Sequence, residues 1–233
     1  MIALLSIKTF DCVLANPPFG MEKWGAAQFE TDKYGRNIWG CPTDSSADFA
    51  WLQHMIKSME PETGRCAVVL PQGVLFHGSK EGQIREQLIK SDKIEAIIGL
   101  ANGVFYNASV SACIMFLTNK KCHSHKGRIC LIDGSQIFTP QRAQNIISES
   151  DAKKLYDTYM AYADEVELCK VVSIADVEAK GFELGLNKYI ERKEKKTIPH
   201  ETVCKDYYVA LRAVRDAEEK MQKLLIEGGY THE

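Results

Sequence analysis

The 233-residue sequence has no apolar run long enough to span a membrane, and its opening Met1-Ile2-Ala3-Leu4-Leu5-Ser6 lacks a cleavable signal pattern. We therefore expect a cytoplasmic protein without membrane contact. It also lacks a charge excess of either sign: 29 Lys and Arg stand against 31 Asp and Glu, a net charge of -2. That balance excludes a histone-like polycation while leaving room for a local basic patch. No internal repeat or low-complexity tract is present. The eight cysteines include no Cys-x-x-Cys pair, which removes the common zinc and disulfide spacings. Cys66 and Cys113 fall inside apolar runs, where a free thiol acts as a small hydrophobe. The metal-like cluster Cys122-His123-Ser124-His125 has no second ligand pair in view, so we expect no metal. With 45% hydrophobic and 26% charged residues, the composition is that of an ordinary globular protein.

What is present is a series of short apolar runs. Phe10 to Ala15 reads as a buried strand, stopped by Asn16-Pro17-Pro18-Phe19-Gly20, because proline has no N–H to continue a ladder. Residues 20–42, glycine-rich and carrying Trp24, Tyr34 and Trp39, read as a long surface loop. A helix is predicted from Ser45, with Asp48 as its capping-box partner and Phe49, Leu52, Ile56 and Met59 at helical spacing. Further strands are predicted at Arg65–Leu70, Ile94–Leu100, Ser111–Thr118 and Arg128–Asp133, with a helix at Ile84–Lys90. Apolar strands alternating with helices point to a mostly parallel sheet covered by helices. The short loop from Ala101 to Asn107 points to an antiparallel pair at one edge. We place this α/β domain at residues 1–138. Residues 139–233 form a mainly helical extension: a helix at Ser150–Glu165, an irregular stretch through Val172–Ile190, a charge run Glu191–Lys196 and a last helix from Val203. In that helix Tyr207, Ala210, Val214, Ala217, Met221 and Leu224 make a heptad-like seam, suited either to its own domain or to a docking partner.

The chemistry lies in Asn16-Pro17-Pro18-Phe19. Two prolines stiffen the loop and leave it rich in acceptors, the Asn16 side-chain oxygen and nearby carbonyls, with the Phe19 ring beside them. Acceptors next to a stacking ring suit an aromatic amine. If the amine nitrogen donates both hydrogens, its lone pair leaves the ring and becomes nucleophilic.

This tetrapeptide after an apolar strand resembles the catalytic motif of S-adenosylmethionine-dependent amino-methyltransferases, especially N6-adenine DNA methyltransferases. Arg65 to Phe76, with Gly78, Glu81-Gly82 and Ile84-Arg85 after it, resembles the modification (M) subunit of type I restriction-modification systems. So do Ile97-Ile98-Gly99-Leu100, Gly103-Val104-Phe105-Tyr106 and Gly185 to Ile190, so that the similarity runs from Phe10 to about Ile190. The resemblance implies the second half of a Rossmann-like methyltransferase sheet and transfer of a methyl group from S-adenosyl-L-methionine to adenine N6 in DNA. It implies that Asn16 and the Pro17 carbonyl accept from the amine, that Pro18 shapes the loop, and that Phe19 stacks on a flipped base. Asn16 would border the donor. Asp48 lies where the family builds part of its pocket, although the preferred reading of it is a helix cap. Lys33, Arg36 and Arg85 are candidate phosphate contacts. The implied partners are DNA, a specificity (S) subunit, a second M subunit and a restriction (R) subunit.

The family holds its methyl donor with a glycine-containing loop and an acidic residue upstream of the catalytic strand. Only fifteen residues precede Asn16, so no donor residue is assigned. Gly99 to Gly103 and Glu183 to Leu186 are the downstream candidates, and both already have places in the family pattern. We therefore expect the C-terminal part of an M subunit, inactive alone. The competing readings are a docking fragment without catalysis and an amino-methyltransferase acting on RNA or on protein glutamine.

Overall fold

The structure is a computed structural model and describes residues 6–105, 110–142, 144–192 and 199–230. Tyr106, Asn107, most of the opening segment and residues 193–196 of the charge run lie outside the described residues. The chain divides into two compact units, Met1–Arg192 and Lys193–Glu233.

The first unit is built on six strands: β1 (Cys12–Ala15), β2 (Arg65–Pro71), β3 (Ile94–Gly99), β4 (Ala112–Thr118), β5 (Arg128–Asp133) and, after a two-residue ribbon of β6 (Thr139–Pro140) and β7 (Asn145–Ile146), β8 (Cys169–Ser173). Their order in the sheet is β1-β2-β4-β3-β5-β8. Strands β1, β2, β3 and β5 run one way, while β4 and β8 run against them. The sheet is thus mixed and mostly co-directional, as the apolar runs predict. The β3–β4 pair is antiparallel as expected, but it is not at an edge. Strand β4 is inserted between β2 and β3, and the antiparallel edge strand is β8.

Helices cover the sheet according to the alternation of its side chains. In β2, Cys66, Val68 and Leu70 are buried, while Ala67 and Val69 on the other face are half-buried. The first face packs on α2 (Asp48–Lys57) through Phe49, Leu52 and Ile56, and on α3 (Ser79–Lys90) through Ile84, Leu88 and Ile89. Helix α5 (Ile174–Ala179) adds Val177 to this core. On the opposite face α4 (Glu149–Ala161) seals β3 and β5 with Leu155 over Ala96, Ile98, Cys130 and Ile132. Strand β3, buried at every residue, lies between the two cores.

Several expected boundaries move. The sheet continues through β8, an unpredicted strand that runs into the start of the stretch read as irregular, so the compact unit ends at 192 rather than 138. The predicted surface loop contains a short helix, α1 (Ala26–Glu30). Helix α3 starts at Ser79, earlier than Ile84, and α4 stops at Ala161, where Tyr162 turns into the left-handed region. Among the described residues of the second unit lies one helix, α6 (His200–Glu227), which begins three residues before Val203 and carries Tyr207, Val214, Met221 and Leu224 with exposed side chains.

Candidate active site

Parallel strands gather their following loops at one end of a sheet, which is where α/β proteins commonly bind ligands. Here that end collects Asn16–Gly20 after β1, Gln72–Leu75 after β2 and residues 100–105 after β3. Asn16 and Pro18 are exposed, Pro17 and Phe19 half-buried. The carboxamide of Asn16 therefore stands where a ligand can reach it. The ring of Phe19 meets Phe105 edge to face, with centroids 5.6 Å apart and planes at 73°. Phe105 arrives on a loop tied twice by Asn145: its backbone amide donates to the Gly103 carbonyl at 2.9 Å, and its side chain to the Asn102 carbonyl at 2.7 Å. Reading the tetrapeptide alone does not reveal Phe105. Its only sequence signal is its place in the Gly103-Val104-Phe105 pattern.

Asp48 is not the helix cap that its position predicts. Ala47 occupies the cap of α2 without a side-chain cap bond. The Asp48 carboxylate instead accepts the Gly20 N–H at 3.0 Å and the Ser46 hydroxyl at 2.9 Å. Further bonds join the same two segments, from the Ala47 N–H to the Met21 carbonyl at 3.1 Å and from the Lys23 N–H to the Asp44 carbonyl at 2.9 Å. Five residues along α2, buried Gln53 accepts from the Trp39 N–H at 2.8 Å and donates to the Gly40 carbonyl at 2.9 Å. Helix α2 thus anchors both ends of the segment that follows the tetrapeptide.

The three candidate phosphate contacts separate. Arg85 is 3% exposed, and its guanidinium donates to the carbonyls of Phe182, Val74 and His77. That buried tie between elements cannot reach a phosphate, and the sequence reading of Arg85 is corrected. Burial also pulls its pKa down. Arg36 is committed within its own loop: it pairs with Asp32 at 2.5 Å and lies over the Phe29 and Tyr34 rings. Hydrogen bonding to Arg36 holds the Asp32 carboxyl below the usual aspartate range, and Asp32 raises Arg36 in turn. Nearby, a cavity of about 270 Å³ is lined by Met21, Trp24, Phe29, Trp51 and His54, and burial pushes the His54 imidazole to a lower pKa. Lys33 stays exposed on the loop.

Neither downstream glycine segment fits a methyl donor. A Cβ at Gly99 would lie 2.5 Å from the Leu186 methyl, so that glycine is a packing joint between β3 and the 185–190 turn. Leu184 is fully buried and its N–H bonds to the Leu75 carbonyl at 2.8 Å. In the Cys122–His125 turn, His125 points to Glu95 and stacks on Tyr162 at 3.5 Å.

Comparison with known proteins follows the same lines. The model of the N-6 DNA Methylase family matches residues 4–197. The chain is 29% identical over 233 residues to the type I restriction enzyme MjaIX methylase subunit of Methanocaldococcus jannaschii, a match covering 94% of this chain and 42% of that protein. To the HindI methylase subunit of Haemophilus influenzae it is 31% identical over 195 residues, covering 80% of this chain and 43% of that one. The chain therefore spans about two fifths of the length of these relatives. A type I restriction-modification methyltransferase subunit from Streptococcus thermophilus superposes with a TM-score of 0.73 at 28% identity, covering 79% of this chain and 39% of that one. With the tetrapeptide loop at the carboxyl end of a co-directional strand and a family match over most of its length, the chain belongs to the N-6 DNA methylase family.

Proposed function

We propose that this chain is the target-base part of a cytoplasmic DNA adenine-N6 methyltransferase, the modification subunit of a type I restriction-modification system. The observation that carries the reading is the Asn16–Gly20 loop, with an exposed amide acceptor and a ring braced by Phe105, in a chain whose relatives are type I methylase subunits. Asn16 Oδ1 and the Pro17 carbonyl accept the two amine hydrogens of adenine. With both hydrogens held, the nitrogen lone pair points out of the ring and needs no separate base before attack. Phe19 stacks on the base. Extruding a base from a duplex costs a few kcal/mol, and stacking on an aromatic side chain returns about 1–3 kcal/mol, so Phe19 offsets much of the cost. S-adenosyl-L-methionine is the methyl source this chemistry calls for, and we assign no described residue to hold it. Lys33 is the candidate phosphate contact that remains. The proposed partners are DNA, a specificity subunit met through α6, a second modification subunit and a restriction subunit.

The test is methylation in cells. The chain is expressed with a specificity subunit and with the remainder of a type I methylase subunit, and N6-methyladenine in the DNA is measured by mass spectrometry. The expected result is methylation that Asn16→Ala abolishes. Equal methylation with Asn16→Ala, or none with the unaltered chain, counts against the reading.

A further inference from the structure

We infer that Asp48 is a positioning residue for the tetrapeptide loop: its carboxylate, fixed on the first turn of α2, grips the Gly20 amide and so sets the attitude of the Phe19 ring. This rests on the proposed role of Phe19 as the base-stacking ring. The argument begins with donors. A loop that offers its carbonyls to a substrate must be held by its N–H groups, and Pro17 and Pro18 have none. Gly20 supplies an N–H immediately after the ring, bonded to Asp48, and its φ of +56°, easy for glycine, turns the chain that follows.

The second strand of the argument is burial. Asp48 is 6% exposed, and a carboxylate withdrawn from water is tolerated only when its oxygens are hydrogen-bonded. Both are: one by Gly20, the other by Ser46. A carboxylate at the first turn is also favoured by the helix dipole. The cap itself is left to Ala47, so the side chain serves the loop rather than its own helix. The platform is rigid, because Phe49, Leu52 and Ile56 of the same helix are buried in the main core. Phe19 is thereby held through the adjoining Gly20 amide by α2 and at its ring by Phe105.

The experiment uses the full 233-residue chain with two readouts. Amide hydrogen exchange at Gly20 reports the grip. Titration with a single-stranded oligonucleotide carrying 2-aminopurine, a fluorescent adenine analogue, reports stacking. Asp48→Ala should speed exchange at Gly20 and weaken the oligonucleotide about tenfold, the size expected when one buried partner is removed. Asp48→Asn keeps an oxygen for Gly20 and should restore both readouts toward the unaltered chain. If Asp48→Ala does not fold, Asp48→Thr keeps branched bulk but sets its oxygen one bond short, and the expectations for Asp48→Ala apply to it. Unchanged exchange in a folded Asp48→Ala overturns the inference. So does unchanged affinity while Phe19→Ala has lost it. Failure of the base-stacking reading looks different: neither the unaltered chain nor Phe19→Ala alters the fluorescence, and a role for Asp48 in base seating falls with it.

Discussion

At the scale of single residues, the site is a ring and an amide held from behind. Phe19 makes an edge contact to Phe105, and in the proposed function its ring also stacks on a base. An aromatic edge pair is worth about 0.5–1.5 kcal/mol and a stacked base about 1–3 kcal/mol, so losing the base contact dominates function while losing the edge contact registers in stability. Phe19→Tyr and Phe19→Trp should therefore keep most oligonucleotide affinity, and Phe19→Ala should lose about tenfold with only a small drop in melting temperature. Equal affinity for Phe19→Ala would remove the stacking role. The tetrapeptide was legible in the sequence because two adjacent prolines after an apolar run can do little except end a strand in a stiff loop. Asp48 was misread for a definite reason. Capping is a local rule, whereas the bond that claims its carboxylate comes from a residue 28 positions away. Arg85 was misread similarly, since arginine is usually a surface residue and only the fold shows three carbonyls converging on it.

Among the elements, those with strong apolar contrast were the readable ones. Strands β2, β3 and β5 are bounded by charge, proline or glycine and lie within a residue of their expected limits. Strand β8 is a five-residue Cys-Lys-Val-Val-Ser segment with too little contrast, and it is fixed by pairing with β5. Helix α1 is five residues long with one buried side chain, too short for periodicity to show. Just beyond it the Asp32–Arg36 pair places the Arg36 guanidinium over its buried Phe29 ring. Asp32 titrates below its ordinary value of 3.8, so the pair contributes at every pH above that value and is lost as pH falls through the depressed one. Proteolysis of the 20–47 segment should therefore stay slow down to the ordinary aspartate range and accelerate only below it. In Asp32→Asn, cleavage should be faster at neutral pH and should lose this acid step. An acid step that persists in Asp32→Asn would place the titrating group elsewhere.

For the whole molecule, the mixed sheet has one half sealed on both faces and one half sealed on a single face. Leu14 on edge strand β1 is 76% exposed, and with Ala67 and Phe116 in register beside it borders an open cavity of about 440 Å³. The order of strands also governs how the chain can fold. Strand β2 does not pair with β3, because β4 stands between them, so the sheet cannot close until β4 has arrived. Strands β3 and β4 are neighbours in sequence, with residues 100–111 between them, whereas β1 reaches β2 across about fifty residues, a costlier closure. The β3–β4 pair is then the expected nucleus, with β2 added next and β1 late. Ile97→Val in that pair, a change costing about 0.5–1.5 kcal/mol, should slow refolding in proportion to its destabilisation. Val13→Ala in β1 should leave the refolding rate nearly unchanged and speed unfolding instead, a pattern that stopped-flow measurements over a range of urea concentrations would reveal or refute. The chain would thus assemble from the middle of its sheet outward, and the strand bearing the tetrapeptide would be the last to be secured and the first to let go.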